Sequence, residues 1–305
     1  MKPEFNYSDT FLAMGTANTI AADIDSREAV RAARKEVMSL HARLNVFDEK
    51  SEIAQINRNA GKMVPVSKDT CRLLRDSRRF EELTEGAFKI SALPASRMWR
   101  RACSENRLPT ADEIVYAQKL LQYDAVRIDG RGKMAGLIKN GQGIDLGGIA
   151  KGYAADSAVD ILECYGVKSF LLNFGGSVVA RGTDAKVGIR NPFGSAEKPL
   201  LGYLNVNDCA VVTSGIYERS VEIGGRKYHH IIDPRTCRPS DSELVSVTLV
   251  GHRAEELDAL ATAVLVLGTE KSLRILQRLS IESVFVDKAG NIFASNGLRN
   301  RLEVR

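Results

Sequence analysis

The sequence is poor in the residues that build disulfide frameworks and structural metal clusters. Its 305 residues include five cysteines, an odd number, and no two of them are spaced as Cys-x-x-Cys. This usage argues against a disulfide scaffold and against a structural zinc site. It favours a reducing compartment.

Long apolar runs are absent as well. No window approaches the roughly 18 continuous apolar residues that a membrane-spanning helix needs. The first residues, MKPEFNYSDTFLAMGT, contain neither the apolar segment nor the cleavage site of a secretory signal. These absences predict a cytoplasmic protein without a membrane anchor, although a chain from which a leader had been removed would read the same.

No charge of one sign is concentrated along the chain. Forty-three Lys and Arg against 38 Asp and Glu leave a net charge of +5. The basic residues are scattered, and the densest run, RLLRDSRRF (72–80), has the pattern of a solvated helix face. A nucleic-acid-binding protein would need a basic stripe interleaved with aromatic residues, so we expect no nucleic-acid partner. The hydrophobic fraction of 44% suits a globular protein with a sizeable core.

The order of predicted elements indicates an α+β fold, because helices cluster early and antiparallel strands cluster late. Residues 10–24 are predicted as one strand and residues 86–110 as a long irregular connection. Thr110, followed three residues later by Glu113, predicts a capping box. Residues 217–234 are predicted as a hairpin closed by a Gly-Gly turn. No linker is visible, so the prediction is a single domain over residues 1–305.

The glycine-rich stretch GIDLGGIAKGYAAD (143–156) precedes a predicted helix. It is not a P-loop, because Gly152 follows Lys151 where Ser or Thr should stand. Gly147 and Gly148 allow the backbone to approach a ligand closely. A lysine in the first turn of a helix opposes the helix dipole, which an anion bound by Lys151 would explain. A simple tight turn is the alternative.

A second candidate is the apolar helix EELDALATAVLVLG (255–268). Asp258 and Thr262 are four residues apart and share one face. A buried carboxylate needs a partner, and a hard cation such as Mg²⁺ takes carboxylate and other oxygen ligands. The alternative places Asp258 at an exposed rim, with Thr262 bonded to its own backbone.

Two further stretches carry polar groups beside turns. In VVTSGIYERS (211–220) a strand ends in two hydroxyl residues and a glycine, as in corners that hold phosphate or sugar. In YHHIIDPRT (228–236) only one of the adjacent His229 and His230 can face a given site. A histidine in a pocket could act as a general base near neutral pH. Each stretch alone is equally consistent with a turn.

Taken together, these stretches resemble the ApbE-type FAD:protein FMN transferases, in the same order along nearly the whole chain. The matching blocks are MGT (14–16), SEIAQIN (51–57), DLGGIAKGYAAD (145–156), LNFGGSVVARG (172–182), VGIRNP (187–192), TSGIYER (213–219), HIIDPRT (230–236) and DALATAVLVLG (258–268). Any one block is weak, but eight in register are specific. The resemblance implies mixed, mainly antiparallel sheets packed with helices in two intertwined, T-fold-like lobes, with the site in the cleft between them.

The resemblance also implies the reaction and its residues. FAD is the substrate, a divalent ion (Mg²⁺, with Mn²⁺ as the alternative) binds at its pyrophosphate, and the FMN half is transferred to a Thr or Ser hydroxyl of a target flavoprotein while AMP leaves. The implied metal ligands are Asp258, Thr262 and the backbone carbonyl of Ala150. The implied catalytic residues are His230, Lys151 and Asp258. The residues implied to bind the flavin nucleotide are Met14, Gly15, Asn57, Gly148, Lys151, Thr213, Ser214, Gly215 and His230.

Two departures from the family pattern concern the acceptor side. Thr236 is followed by Cys237 instead of glycine, and Lys89 stands where the family has aspartate. A lysine there could change how FAD or the target peptide sits. Two alternative functions therefore remain at this stage. One is an FAD pyrophosphatase, in which water replaces the protein hydroxyl, and the other is a non-catalytic FAD-binding protein.

Overall fold

The computed structural model describes residues 5–122, 124–217 and 220–304. Within them, the α-helices are α1 (Arg27–Leu44), α2 (Glu52–Arg58), α3 (Lys68–Leu83), α4 (Leu93–Ser104), α5 (Ala111–Leu121), α6 (Ala150–Cys164), α7 (Ala254–Leu267) and α8 (Thr269–Arg278). The strands are β1 (Tyr7–Ala13), β2 (Thr16–Ala22), β3 (Met63–Pro65), β4 (Val126–Ile128), β5 (Met134–Leu137), β6 (Phe170–Phe174), β7 (Ser177–Arg181), β8 (Asp184–Arg190), β9 (Leu200–Asn207), β10 (Ala210–Gly215), β11 (Ser220–Ile223), β12 (Arg226–His229), β13 (Ile232–Asp233), β14 (Arg238–Pro239), β15 (Leu244–Gly251), β16 (Glu282–Asp287), β17 (Ile292–Ala294) and β18 (Leu302–Val304).

Helices packed with antiparallel sheets confirm the predicted α+β class. The chain forms two compact units, each built from separate segments. The first unit comprises residues 1–41, 149–215 and 243–305, and the second comprises residues 42–148 and 216–242. The chain passes from the second unit to the first between Gly148 and Ile149, inside the glycine-rich stretch.

An eight-stranded antiparallel sheet, ordered β1-β2-β6-β7-β10-β15-β16-β17, organises the first unit. The β15 sequence LVSVTLVG is buried along nearly its whole length, because α7 packs on one face of the sheet and apolar side chains of β8 and β9 pack on the other. Helix α6 packs against α7. The almost entirely apolar surface of α7 therefore follows from its central position.

The second unit contains α2 to α5 and three small sheets, ordered β3-β5-β4, β11-β12 and β13-β14. Helices α4 and α5 enclose an apolar cluster that includes Met98, Trp99 and Ile114. The predicted capping box is confirmed, since the Thr110 side chain accepts from the Glu113 N–H and the Glu113 carboxylate accepts from the Thr110 N–H. The predicted hairpin turn is also confirmed, at Gly224–Gly225 between β11 and β12, while residues 218–219 of that prediction lie outside the described residues.

Two predicted elements were wrong. Residues 10–24 are not one strand but parts of β1 and β2, joined at Met14 and Gly15, which have φ of 53° and 74°. Both central residues of a type I′ hairpin turn take positive φ. The irregular connection over 86–110 instead contains α4, whose proline occupies the first turn, where its missing N–H costs no hydrogen bond.

Among the described residues, no helix combines the length and apolar character that a membrane crossing requires.

Candidate active site

The structure brings Lys151 and Asp258 into direct contact, although they are 107 residues apart. Asp258 lies in α7 and is 1% exposed. Its Oδ1 and Oδ2 atoms accept hydrogen bonds from the Lys151 ammonium at 3.0 and 3.3 Å, and Oδ2 also accepts from the Gly152 N–H at 3.0 Å. The lysine in the first turn of α6 thus does contact an anion, which is a carboxylate of this chain.

A glycine makes this contact possible. A Cβ at Gly152 would lie 2.2 Å from the Ala254 carbonyl oxygen and 2.7 Å from the Glu255 Cα, far closer than atoms can approach. The first turn of α7 can therefore meet α6 only where α6 has no side chain. The glycine that broke the P-loop pattern is the point at which the two helices touch.

Thr262 lies one turn after Asp258 on α7. Its hydroxyl donates to the Asp258 carbonyl oxygen at 3.4 Å, as the alternative to a metal site predicted. The same alternative placed Asp258 at an exposed rim, and that part is wrong because the carboxylate is buried. Donation into the helix leaves the hydroxyl lone pairs available to a ligand. Ala150 is buried and is the first residue of α6, directly before Lys151.

These oxygen atoms suit one kind of metal ion. Within the described ranges, no group of three or more His, Cys, Asp or Glu side chains is placed to bind a metal. The metal ligands that the resemblance implies are all oxygen atoms, namely one carboxylate, one hydroxyl and one backbone carbonyl. Magnesium is typically held by one or two carboxylates together with waters and substrate phosphates. Ligands of these chemical types would suit a hard divalent cation that shares its coordination with a phosphorylated substrate.

Sequence reasoning missed Asp156, a buried carboxylate on the same face of α6 as Gly152. Its two oxygens accept hydrogen bonds from the Ala254 and Glu255 N–H groups, each at 3.0 Å, and Oδ2 lies 3.2 Å from the Arg253 Nε. Helix α7 has no side-chain cap of its own, so Asp156 supplies that cap from another helix. Burial raises the pKa of the Asp156 carboxyl above its ordinary value, while these hydrogen bonds and Arg253 oppose the shift. The sequence did contain a signal for this contact, because an acidic residue inside an apolar helical stretch needs a polar partner when it is buried.

The predicted phosphate corner lies at the end of β10. The Thr213 N–H donates to the Gly176 carbonyl oxygen at 3.0 Å, and the hydroxyls of Thr213 and Thr248 are 2.9 Å apart. The pairing of β7 with β10 thus places the Gly175–Gly176 turn between β6 and β7 beside the Thr-Ser-Gly stretch. Ser214 is half-buried, and Gly215 is buried opposite Ser246.

The Met14–Gly15 turn closes the β1–β2 hairpin of the same unit. Met14 is one of the non-glycine residues with positive φ. Strained backbone of this kind is common at ligand sites. The Met14 N–H donates to the His41 Nδ1 at 3.2 Å, which fixes the turn against the end of α1. His41 was not identified from the sequence.

Asn57 holds the glycine-rich stretch within the second unit. Its amide group donates to the Ile144 carbonyl oxygen at 2.8 Å and accepts from the Ile144 N–H at 2.7 Å. This pairing fixes the backbone shortly before half-buried Gly148. A positioning role for Asn57 is thus visible, and its contact with the flavin stays a prediction.

The two adjacent histidines have different environments, because β12 ends at His229. The His229 Nε2 donates to the Ser240 carbonyl oxygen at 3.0 Å, so this ring is tied to the backbone. His230 follows the end of β12 and is exposed. Of the two residues, His230 is the more exposed.

The two departures from the family pattern have local explanations in the second unit. Cys237 is buried with a φ of 55°, the backbone region that favours glycine. Its carbonyl accepts from the Trp99 indole N–H at 2.8 Å, and burial raises the pKa of its thiol to about 11. The Lys89 ammonium contacts the Glu81 carboxylate beside a cavity of about 310 Å³ that Arg235 also lines.

Comparison with known proteins matches residues 14–285 to the model of the ApbE family. An FAD:protein FMN transferase of Treponema pallidum is 32% identical over 98% of this chain and 89% of its own length. One from Klebsiella pneumoniae is 35% identical over 85% of this chain and 82% of its own length. The crystal structure of an ApbE protein from Thermotoga maritima superposes with a TM-score of 0.86 at 29% identity, covering 97% of this chain and 99% of that one.

Proposed function

Since the chain belongs to the ApbE family, we propose that it transfers the FMN part of FAD to a protein hydroxyl, with a divalent metal ion held by its own oxygen ligands. The acceptor is a Thr or Ser hydroxyl of a target flavoprotein. The acceptor oxygen forms a new bond to the FMN phosphorus, the bond between that phosphorus and the bridging pyrophosphate oxygen breaks, and AMP leaves. The product is a phosphoester.

The observation that carries the proposal is the buried contact of Lys151 with Asp258. Phosphoryl transfer needs positioning and neutralisation of phosphate charge more than it needs covalent help. Lys151 and the Gly152 N–H hold the Asp258 carboxylate in place. Lys151 also retains enough exposure, 25% of its side chain, to reach a phosphate oxygen.

The metal site in this proposal consists of Asp258, the Thr262 hydroxyl and the Ala150 carbonyl. A bound Mg²⁺ or Mn²⁺ would neutralise charge on the FAD pyrophosphate. His230 would accept the proton of the incoming hydroxyl, because an exposed imidazole is a suitable general base near neutral pH.

Substitution of Asp258 by Ala tests the metal site directly. It removes the one carboxylate of the proposed ligand set. We therefore expect Mn²⁺ affinity, measured by electron paramagnetic resonance, to fall at least about 10-fold, since even substitutions of residues that only support metal ligands have effects of that size. Transfer of FMN to a co-expressed acceptor, measured by intact-protein mass spectrometry, should be lost. Glu256→Ala, which removes a less buried carboxylate of the same helix, is the matched control.

The same assay separates the alternative activities. Wild-type protein incubated with FAD and Mg²⁺ but no acceptor should release little FMN and AMP. Rapid release would favour a pyrophosphatase, whereas FAD binding without either product would favour a non-catalytic flavin protein. Full transfer activity and unchanged Mn²⁺ affinity in Asp258→Ala would exclude the proposed metal site.

A further inference from the structure

A groove runs along the open edge of the eight-stranded sheet. Within the described residues, β1 pairs only with β2, so one side of β1 has no strand beside it. Helix α1 forms the other wall. The groove has a volume of about 580 Å³ and is lined by Tyr7, Asp9, Arg31, Arg34, Lys35 and Met38.

The charge of this groove is positive and only partly compensated. Arg34 donates to both oxygens of Asp9, at 3.0 and 3.1 Å, so these two charges offset each other. Arg31 and Lys35 are exposed and one turn apart on α1, and neither forms an ion pair with any residue in the described part of the chain. Two positive charges therefore face the solvent beside an unpaired strand.

The groove has a direction. The Arg27 guanidinium lies 5.3 Å from the Tyr7 ring centre, at the start of β1, and the Met14 N–H bonds His41 at the end of it. Residues 27–41 of a helix rise about 21 Å, and residues 7–14 of a strand rise about 23 Å. The helix and the strand therefore run side by side in the same direction. The strand that lines the groove ends at the Met14–Gly15 turn, which the resemblance places on the flavin nucleotide.

From these observations we propose that the groove between β1 and α1 binds an extended, acidic segment of the acceptor protein, added to the sheet as a strand beside β1. The proposal rests on the proposed function, because it takes the Met14–Gly15 turn as part of the flavin site. An open strand edge offers main-chain hydrogen bonds, and charged side chains beside it select the partner. The segment would lead the acceptor hydroxyl toward the flavin.

The spacing of the cations specifies the acidic pattern. Positions four apart on a helix are separated by about 6 Å along its axis, and alternate residues of a strand by about 6.6 Å. Arg31 and Lys35 therefore match two carboxylates at alternate positions of an extended segment, on the face turned toward α1. Leu12, on the opposite face of β1 and 77% exposed, would contact an outward-facing apolar side chain of the same segment.

Peptide binding tests the surface without knowledge of the acceptor. One fluorescein-labelled decapeptide carries Glu at alternate positions with Thr and Val between them, and a second has the same composition with the Glu residues in one block. We expect the full-length protein to bind the alternating peptide at least about 10-fold more tightly at low salt, with a loss of affinity as salt is raised. Equal affinity for the two peptides would overturn the strand-addition geometry.

A double charge reversal locates the binding. Arg31→Glu with Lys35→Glu should weaken binding of the alternating peptide at least about 10-fold. The matched control is Lys271→Glu with Arg274→Glu, which makes the same charge change on α8, a helix that packs on α7 and β16 away from the β1 edge. Equal weakening in both variants would mean that only net charge is sensed, and would overturn the proposal.

Hydrogen exchange locates the bound peptide, and FAD affinity separates this proposal from the proposed function. Bound peptide should protect alternate amides of β1, and protection confined to other strands would contradict the proposal. If the reversal instead changes the sedimentation of the protein without peptide, the groove is an interface between copies of this chain. FAD affinity should be unchanged in both double variants, so a failure of peptide binding is distinguishable from a failure of the proposed function, which Asp258→Ala tests.

Discussion

Replacing Gly152 by Ala should destabilise this protein even though alanine is the better helix former. Within a helix, Gly→Ala normally stabilises by about 1 kcal/mol. Here the added Cβ would lie 2.2 Å from the Ala254 carbonyl oxygen and 2.5 Å from its carbonyl carbon. Carbon–oxygen contacts of this type ordinarily begin near about 3.3 Å. The first turn of α7 would therefore have to retreat by about 1 Å.

That displacement sets the size of the effect. A retreat of about 1 Å lengthens the Gly152 N–H to Asp258 hydrogen bond, now 3.0 Å, beyond the distance at which it contributes. Overpacking costs about 1–3 kcal/mol, and loss of a hydrogen bond to a charged group costs about 1.5–3 kcal/mol. Together these losses exceed the gain in helix propensity, so we expect the free energy of unfolding to fall by about 1.5–5 kcal/mol.

Urea denaturation, followed by far-ultraviolet circular dichroism, measures the loss. Mn²⁺ affinity should fall in the same variant, because the Asp258 carboxylate moves with α7. Gly130→Ala is the matched control, since its added Cβ meets no atom within 4 Å and its φ is not positive. If Gly152→Ala unfolds at the wild-type urea concentration and binds Mn²⁺ with wild-type affinity, the close helix contact does not position the carboxylate as argued.

Two further predictions concern the histidine pair and Asp156. His230→Ala should slow FMN transfer by about 10²–10⁴-fold, with FAD affinity nearly unchanged in isothermal titration. His229→Ala should instead lower the stability of the protein, because it removes the hydrogen bond to the Ser240 carbonyl. Loss of FAD binding in His230→Ala would show that His230 is a binding residue. Asp156→Asn should lower the free energy of unfolding by about 1–3 kcal/mol, because one buried N–H of α7 then faces an amide donor. Burial raises the pKa of Asp156 in the folded state above its unfolded value of about 3.9, so the folded state holds the proton more tightly. The contribution of Asp156 to the free energy of unfolding therefore falls as the pH rises from the unfolded pKa to the folded pKa. The deficit of Asp156→Asn in urea denaturation should therefore shrink as pH rises through that window, and a growing deficit would refute the assignment.

Local chemistry made several elements readable from the sequence. The capping box at Thr110 and Glu113 depends on residues three apart, and a pattern of that span predicts its own structure. The Gly224–Gly225 turn is similar, because positive φ at both residues belongs to glycine. The family itself was identifiable because eight short blocks occur in a fixed order.

The missed helix α4 shows where local rules compete. Its proline suggested an irregular segment, and no side-chain cap marks its start. The apolar residues Ala95, Met98, Trp99 and Ala102 nevertheless recur at helical spacing, and all four are buried. Packing of that stripe in the core of the second unit outweighs the local signals.

The sequence by itself determined the fold class and the family, because these depend on local patterns and on the order of motifs. Only the tertiary structure decided that Lys151 meets Asp258 and that Asp156 caps α7. Those contacts join residues about a hundred positions apart, and no local preference specifies them. They form because α6 and α7 pack closely where Gly152 has no side chain, and that approach depends on the whole sheet against which α7 lies.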